Sequence, residues 1–289
     1  DIDVRITATD PGGLTASDVF RILTTQAPVI RRGIVTTDLS PGVDQAFSVI
    51  QQSDGKLVVA GVSNSDWALT RYNTNGTLDT SFGGGDGIVA TTAGSSVLQQ
   101  ADGKLVVTGS TEGGAGSDII LMRHQADGSV DTSFGDGDGI VITNLGADGS
   151  SDHGSIVVQQ ADGNLVVAGW SDGDFALVRY HGDGSLDTSF GGGDGIVIAA
   201  ASHSGSVVQQ TDGKWVVVGT TGLDGSNWNI ALSRYNADGT TDTTFGGGDG
   251  TVTTDFAGGH DLAFSVVQQA DGKLIVAGSS ETDFEHWDL

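Results

Sequence analysis

QQADGKLIVAG occupies residues 268–278, and near-copies stand at four earlier places. QQSDGKLVVAG begins at Gln51, QQADGKLVVTG at Gln99, QQADGNLVVAG at Gln159 and QQTDGKWVVVG at Gln209. Each copy reads as a tight hairpin. Apolar β-formers flank a Ser/Ala/Thr-Asp-Gly turn, in which glycine supplies the positive φ. The Gln pairs are spaced by 48, 60, 50 and 59 residues. Periods of that size belong to solenoids, propellers and repeat arrays.

One full unit contains four strand-like runs: SIVVQQ (155–160), NLVVAG (164–169), FALVRY (175–180) and GIVIAA (195–200). All are short and rich in Val, Ile, Leu and aromatics, and no long stretch shows helical periodicity. Four antiparallel strands per repeat of about 50 residues is the build of a propeller blade. The fold expected is therefore all-β: a β-propeller of four-stranded blades with five repeat units. Either a closed five-bladed ring or part of a larger ring fits that reading.

The composition agrees. Glycine supplies 47 of 289 residues and proline only 3, which suits many short strands joined by glycine turns. Twelve Lys and Arg face 37 acids, for a formal net charge of −25. Such a field repels nucleic acid and anionic lipid and attracts cations. No nucleic-acid partner is expected, and no apolar run is long enough for membrane insertion. Cysteine is absent, which excludes disulfides, thiolate metal sites and thiol nucleophiles.

Taken across the copies, the phrase SVVQQADGKLVVAG followed by ALxRYNADGxLDTSFGGGDGIV resembles the bacterial delta-60 repeat over roughly residues 31–289. That resemblance implies a β-propeller module within a large secreted or cell-surface protein of bacteria. VRITATDPGGLTASDVFRIL (4–23) looks like the terminal hairpin of a cadherin-like domain. Residues 1–30 are accordingly expected to be that hairpin plus a linker. The chain starts at Asp1 without methionine and stops within a unit, so a fragment of a longer protein is expected. Gly33–Thr37 (GIVTT) has a fourth-strand sequence with no unit before it.

Residues that recur in every unit are expected to solve packing problems that every unit shares. Arg71, Arg123, Arg179 and Arg234 close the third strand. Their expected partners are the LDTSF-type aspartates Asp79, Asp131, Asp187 and Asp242, because a guanidinium fork matches a carboxylate. Phe82, Phe134, Phe190 and Phe245 are expected to plug the joins between blades. The linker aspartates also raise calcium as the one cofactor expectation, since oxygen-rich glycine loops suit that ion. The candidate ligands are Asp127, Asp131 and Asp138, then Asp183, Asp187 and Asp194, then Asp238, Asp242 and Asp249. The alternative is that these aspartates tie their own turns.

Catalytic motifs are missing: there is no HExxH, no GxSxG and no sialidase-type aspartate box. In a four-stranded meander the DGK hairpin and the LDTSFGGGDG linker share one rim. The other rim then carries loops that vary between units, such as 109–118, 143–154 and 220–229, none of which contains Lys or Arg. Ligand contacts are expected on such loops. The candidates are Trp228, Trp287, Trp67 and Trp170, with His153, His203 and His260. Trp215 replaces a hairpin leucine and is expected in the core. The function expected is a non-catalytic, adhesin-like display or binding module whose partner is a glycan or another surface protein. The alternative is a glycan hydrolase or lyase with a carboxylate site on the variable rim.

Overall fold

The computed structural model describes residues 2–9, 15–22, 37, 39, 43–63, 66–111, 116–146, 149–221, 227–256, 258–283 and 286–288. Of these, 2–9, 15–22, 200–204, 282–283 and 286–288 are described as backbone only. Near the N-terminus β1 (Ile2–Thr9) pairs antiparallel with β2 (Thr15–Ile22), from Thr9↔Thr15 at the turn to Ile2↔Ile22 at the open end. The expected linker and Gly33–Thr36 lie outside the described residues.

Five repeat units follow. Unit one is β3 (Asp44–Gln51), β4 (Leu57–Ser63), β5 (Asp66–Tyr72) and β6 (Ile88–Thr91). Unit two is β7 (Ser96–Gln99), β8 (Leu105–Ser110), β9 (Ile119–His124) and β10 (Ile140–Thr143). Unit three has β11 (Asp152–Gln159), β12 (Leu165–Ser171), β13 (Asp174–Tyr180) and the first part of β14 (Ile196–Gln209). The rest of β14 opens unit four, which continues with β15 (Trp215–Thr221), β16 (Asn229–Tyr235) and β17 (Thr251–Thr254). Unit five is β18 (Asp261–Gln268), β19 (Leu274–Asp283) and β20 (His286–Asp288). Within each unit the strands pair antiparallel in chain order, and β14 joins units three and four into one seven-stranded sheet.

The quoted hairpin forms as its sequence dictates. In the first copy the Gln52 N–H donates to Lys56 O at 2.8 Å, and Gly55 turns with φ of 84°. The glycine that ends each copy has a steric reason. A Cβ on Gly169 would lie 1.8 Å from His153 O, where β11 bulges toward β12. Strands two and three are the most buried, and each apolar cluster spans a join. Val58 and Leu69 of unit one, for example, share a cluster with Val97, Leu105 and Val107 of unit two. Trp215 is fully buried in the cluster between units three and four. The architecture is an all-β propeller arrangement of repeated four-stranded sheets, as the repeat implies.

Candidate functional site

The two rims differ in chemistry, and the repeated one comes first. The Nε of Arg71 donates to Asp79 Oδ2 at 2.7 Å; Arg123–Asp131, Arg179–Asp187 and Arg234–Asp242 repeat the bond at 2.6, 2.8 and 2.7 Å. The hairpin lysine adds a second cation. Lys56, Lys104 and Lys214 lie 2.8, 3.0 and 2.7 Å from Asp79, Asp131 and Asp242. In unit three Asn164 replaces that lysine, and His181 stands 3.9 Å from Asp187 instead.

The guanidinium groups of Arg71, Arg123 and Arg179 also reach the following unit. Arg71 Nη1 donates to Ala126 O at 2.6 Å, Arg123 Nη1 to Gly182 O at 2.6 Å and Arg179 Nη1 to Ala237 O at 2.8 Å. Backbone bonds run beside them: Gly83 N–H to Asp127 O, Gly135 N–H to Asp183 O and Gly191 N–H to Asp238 O. The guanidinium lies over the phenylalanine ring, at 4.6 Å for Phe82, Phe134 and Phe190 and 4.5 Å for Phe245. Arginine, aspartate and phenylalanine thus form a staple between consecutive units. In the first three units the bonds engage Nε, Nη1 and Nη2 of the arginine and both carboxylate oxygens of the aspartate.

These aspartates titrate low. The Lys56 ammonium holds Asp79 well below the usual carboxylate range, and Lys214 does the same for Asp242. At Asp131 burial pushes upward, but Ser133, Lys104 and Arg123 together outweigh it. Asp187 is also lowered: burial opposes, and Ser189 and Arg179 prevail. The folded state therefore favours the ionised form. Its contribution is complete above the unfolded carboxylate value of about 4 and is lost as pH falls through the lowered folded values. Exposed aspartates act oppositely, because protonation relieves the repulsion of a −25 chain. Salt near 0.15 M, with a Debye length of about 8 Å, screens that opposing term. The melting temperature in such salt is expected to hold from pH 8 to about 7, to drift down below about 6.5 because burial favours the neutral rings of His124 and His153 in the fold, and to fall steeply below about pH 4. An unchanged melting temperature at pH 2 would contradict this.

The nine aspartates considered for calcium have other engagements. Asp127, Asp183 and Asp238 accept the N–H of the residue two further on, as do Asp131, Asp187 and Asp242. Asp138, Asp194 and Asp249 cap Ile140, Ile196 and Thr251 in the same way. Such bonds are turn chemistry. Among the described residues, no group of three or more His, Asp or Glu is placed to hold a metal ion.

The variable rim is organised by three carboxylates that the repeat pattern did not reveal. Asp152, fully buried at the start of β11, accepts Leu145 N–H at 2.7 Å, Ser171 Oγ–H at 2.5 Å and Ser150 Oγ–H at 3.3 Å. Asp44 accepts Leu39 N–H at 3.0 Å, and Asp261 accepts Phe256 N–H at 2.9 Å. Asp152 and Asp261 pin the loops that arrive from β10 and β17, and Asp44 holds Leu39 in the same way. The signal was present as Thr-Asp/Asn-Leu/Phe followed by Asp, at 37–44, 143–152 and 254–261. Units two and four lack it, so a search for elements common to every unit passes over it.

Candidate ligand residues meet on this rim in pairs. The rings of His153 and Trp170 stack with centroids 5.4 Å apart and 3° between planes, on facing positions of β11 and β12. Burial pushes His153 below the ordinary imidazole value, so the stacked ring is neutral at pH 7. The Trp228 ring tilts against His260 at 4.8 Å, and the Trp228 backbone N–H donates to His260 Nδ1 at 3.2 Å. Trp67 packs instead against Phe47, at 5.6 Å. His203 lies on β14 and Trp287 on β20, both with side chains outside the described residues. All four paired Trp and His residues are half-buried, which leaves part of each surface open to solvent.

Four segments of the chain, residues 52–82, 100–134, 160–190 and 210–245, match the family model described as "Domain of unknown function (DUF5122) beta-propeller". No curated protein sequence matches the chain. Among solved structures it is similar to an endo-arabinase from Bacteroides thetaiotaomicron, at 12% identity and a TM-score of 0.42, over 89% of this chain and 95% of that one. It is also similar to the arabinanase Arb43A from Bacillus subtilis, at 14% identity and a TM-score of 0.41, over 81% and 93%. A virginiamycin B lyase from Staphylococcus aureus is similar at 11% identity and a TM-score of 0.40, over 84% and 68%. Four segments carrying one propeller signature, each folded into antiparallel strands and the first three stapled to the unit that follows, identify the chain as a β-propeller repeat protein.

Proposed function

We propose that this chain is a non-catalytic binding and display module of the delta-60 type, carried by a secreted or surface protein of bacteria behind a cadherin-like hairpin. The observation that carries the reading is the pair of aromatic couples on the variable rim, His153 with Trp170 and Trp228 with His260. An indole face can stack on a sugar ring or meet a cation. No Lys or Arg stands in loops 109–118, 143–154 or 220–229, so an anionic ligand finds no partner there. The expected ligand is a neutral glycan or a cation-bearing group on another surface protein. The rim carboxylate Asp152 is engaged by backbone and hydroxyl donors, which suits loop anchoring better than proton transfer.

The test is a titration of neutral oligosaccharides against the wild type and against Trp170→Ala and Trp228→Ala. Binding should weaken at least tenfold in one variant while its melting curve stays close to wild type. Wild-type binding that neither substitution alters would make the aromatic couples scaffold. Turnover of any glycan in the panel would favour the hydrolase or lyase reading instead.

A further inference from the structure

One contact recurs at every join between units. A second-strand valine of one unit shares a buried cluster with a first-strand valine of the next. The pairs are Val58 with Val97, Val106 with Val157, Val166 with Val207, and Val216 with Val266. The second-strand members are all 0% exposed, and the first-strand members are 4%, 5%, 9% and 4% exposed. The series leaves one residue over at each end. Ile275 occupies the Val58 position in unit five and is 48% exposed. Val49 occupies the Val97 position in unit one and is 61% exposed. Phe47 and Phe264 on the first strands of the same two units are 52% and 54% exposed.

The loops of the variable rim follow a matching rule. From the second-strand glycine to the Asp or Asn that precedes the apolar run of the third strand, units one and three advance five residues, Gly61 to Asp66 and Gly169 to Asp174. Unit two advances nine (Gly109 to Asp118), and units four and five advance ten (Gly219 to Asn229, Gly278 to Asp288). Each long loop that has a following unit meets an aspartate-pinned loop there. Asp152 N–H donates to Ser117 O at 2.6 Å, and Asp261 N–H donates to Trp228 O at 2.7 Å. The short loops of units one and three precede units two and four, which lack the pinning aspartate. Unit five carries a long loop, so its neighbour should carry a pinned one. Unit one does, with Asp44 holding Leu39.

A third observation concerns what stands before unit one. Tyr180 of unit three donates to Thr143, the end of the fourth strand of unit two, at 2.7 Å. Tyr72 of unit one donates in the same way to Thr37 at 2.9 Å. Thr37 therefore holds the place of a preceding unit's last strand, which agrees with the likeness of GIVTTDL (33–39) to GIVITNL (139–145).

We propose that the exposed face of unit five docks on unit one of the same chain, setting Ile275 against Val49 and closing the ring at five units. The long loop of unit five then meets the pinned loop of unit one, as at the two earlier long-loop joins. At those joins the residue before that Asp or Asn abuts the residue before the pinning aspartate: Ser117 bridges Ser151, and Trp228 meets His260. The corresponding pair is Trp287 and Val43.

The chain has no cysteine, so an introduced pair reports on proximity without background. Two cysteines form a disulfide only when their Cα atoms come within about 7 Å. Ser117→Cys with Ser151→Cys is the positive control, and Val43→Cys with Trp287→Cys is the test. Both purified double variants are expected to lose both free thiols on mild oxidation and to remain monomers on non-reducing gels. Free thiols in the test pair while the control closes would overturn the proposal, as would disulfide-linked dimers, which would mean that the face takes a second copy. Val49→Asp supplies a separate readout. It should lower the melting temperature by several degrees if Val49 is covered, and an unchanged value would also overturn the proposal.

Discussion

Asp131→Asn is expected to destabilise the protein by about 3–5 kcal/mol, because it leaves the buried Arg123 guanidinium without its carboxylate. Asp131 is buried, and its Oδ2 takes Arg123 Nε at 2.6 Å and Lys104 Nζ at 3.0 Å. Its Oδ1 accepts the N–H and the hydroxyl of Ser133 at 3.1 and 2.7 Å. Asparagine keeps the shape but removes the charge, and Arg123 is itself nearly buried. Asp138→Asn is the control, since that carboxylate is exposed and caps only Ile140. Surface changes of that kind usually stay within about 0.5 kcal/mol. Chemical unfolding of the two variants measures the difference. A cost below about 1 kcal/mol for Asp131→Asn would place the cluster among ordinary surface ion pairs.

Phe134→Ala is expected to cost a comparable amount, about 3–5 kcal/mol, through the cavity it leaves. The ring is fully buried, and the Arg123 guanidinium lies 4.6 Å from its centroid. The turn glycine of the next unit closes over it: a Cβ on Gly184 would stand 2.9 Å from the ring, at a φ of 93°. Removing the ring therefore loses packing within unit two and across the join to unit three. Phe256→Ala, at an exposed ring in the loop before β18, is the comparison and should cost far less. Similar unfolding midpoints for the two variants would mean that the staple phenylalanine does not fill the join.

The parts of this fold that were legible in the sequence are those that every unit repeats. The hairpin of QQADGKLIVAG and the pairing of Arg71 with Asp79 could be read because four or five copies repeat the same spacing. The reach of Arg71 to Ala126 could not, because it spans 55 residues and ends on a carbonyl that has no sequence signature. Asp44, Asp152 and Asp261 were missed because only alternate units carry them. Trp67, Trp170 and Trp228 lie at or next to the ends of their strands, beside the loops that vary between units. Their partners His153 and His260 emerge only from strand register and from the docking of unit four on unit five. The linker aspartates show the converse: their number suggests a cation, whereas each one serves the turn two residues ahead.

The staple joins consecutive units and does not merely rigidify its own. Repeat architectures make such coupling measurable, since stability is shared between each unit and its neighbours. Hydrogen exchange on Asp131→Asn, read peptide by peptide, tests it directly. Loss of protection is predicted in unit two around Gly135 and also in the unit-three turn at 181–184. Arg123 bonds Gly182 O in that turn, and Gly135 N–H bonds Asp183 O. Loss confined to unit two, with the 181–184 turn protected as in wild type, would contradict the account.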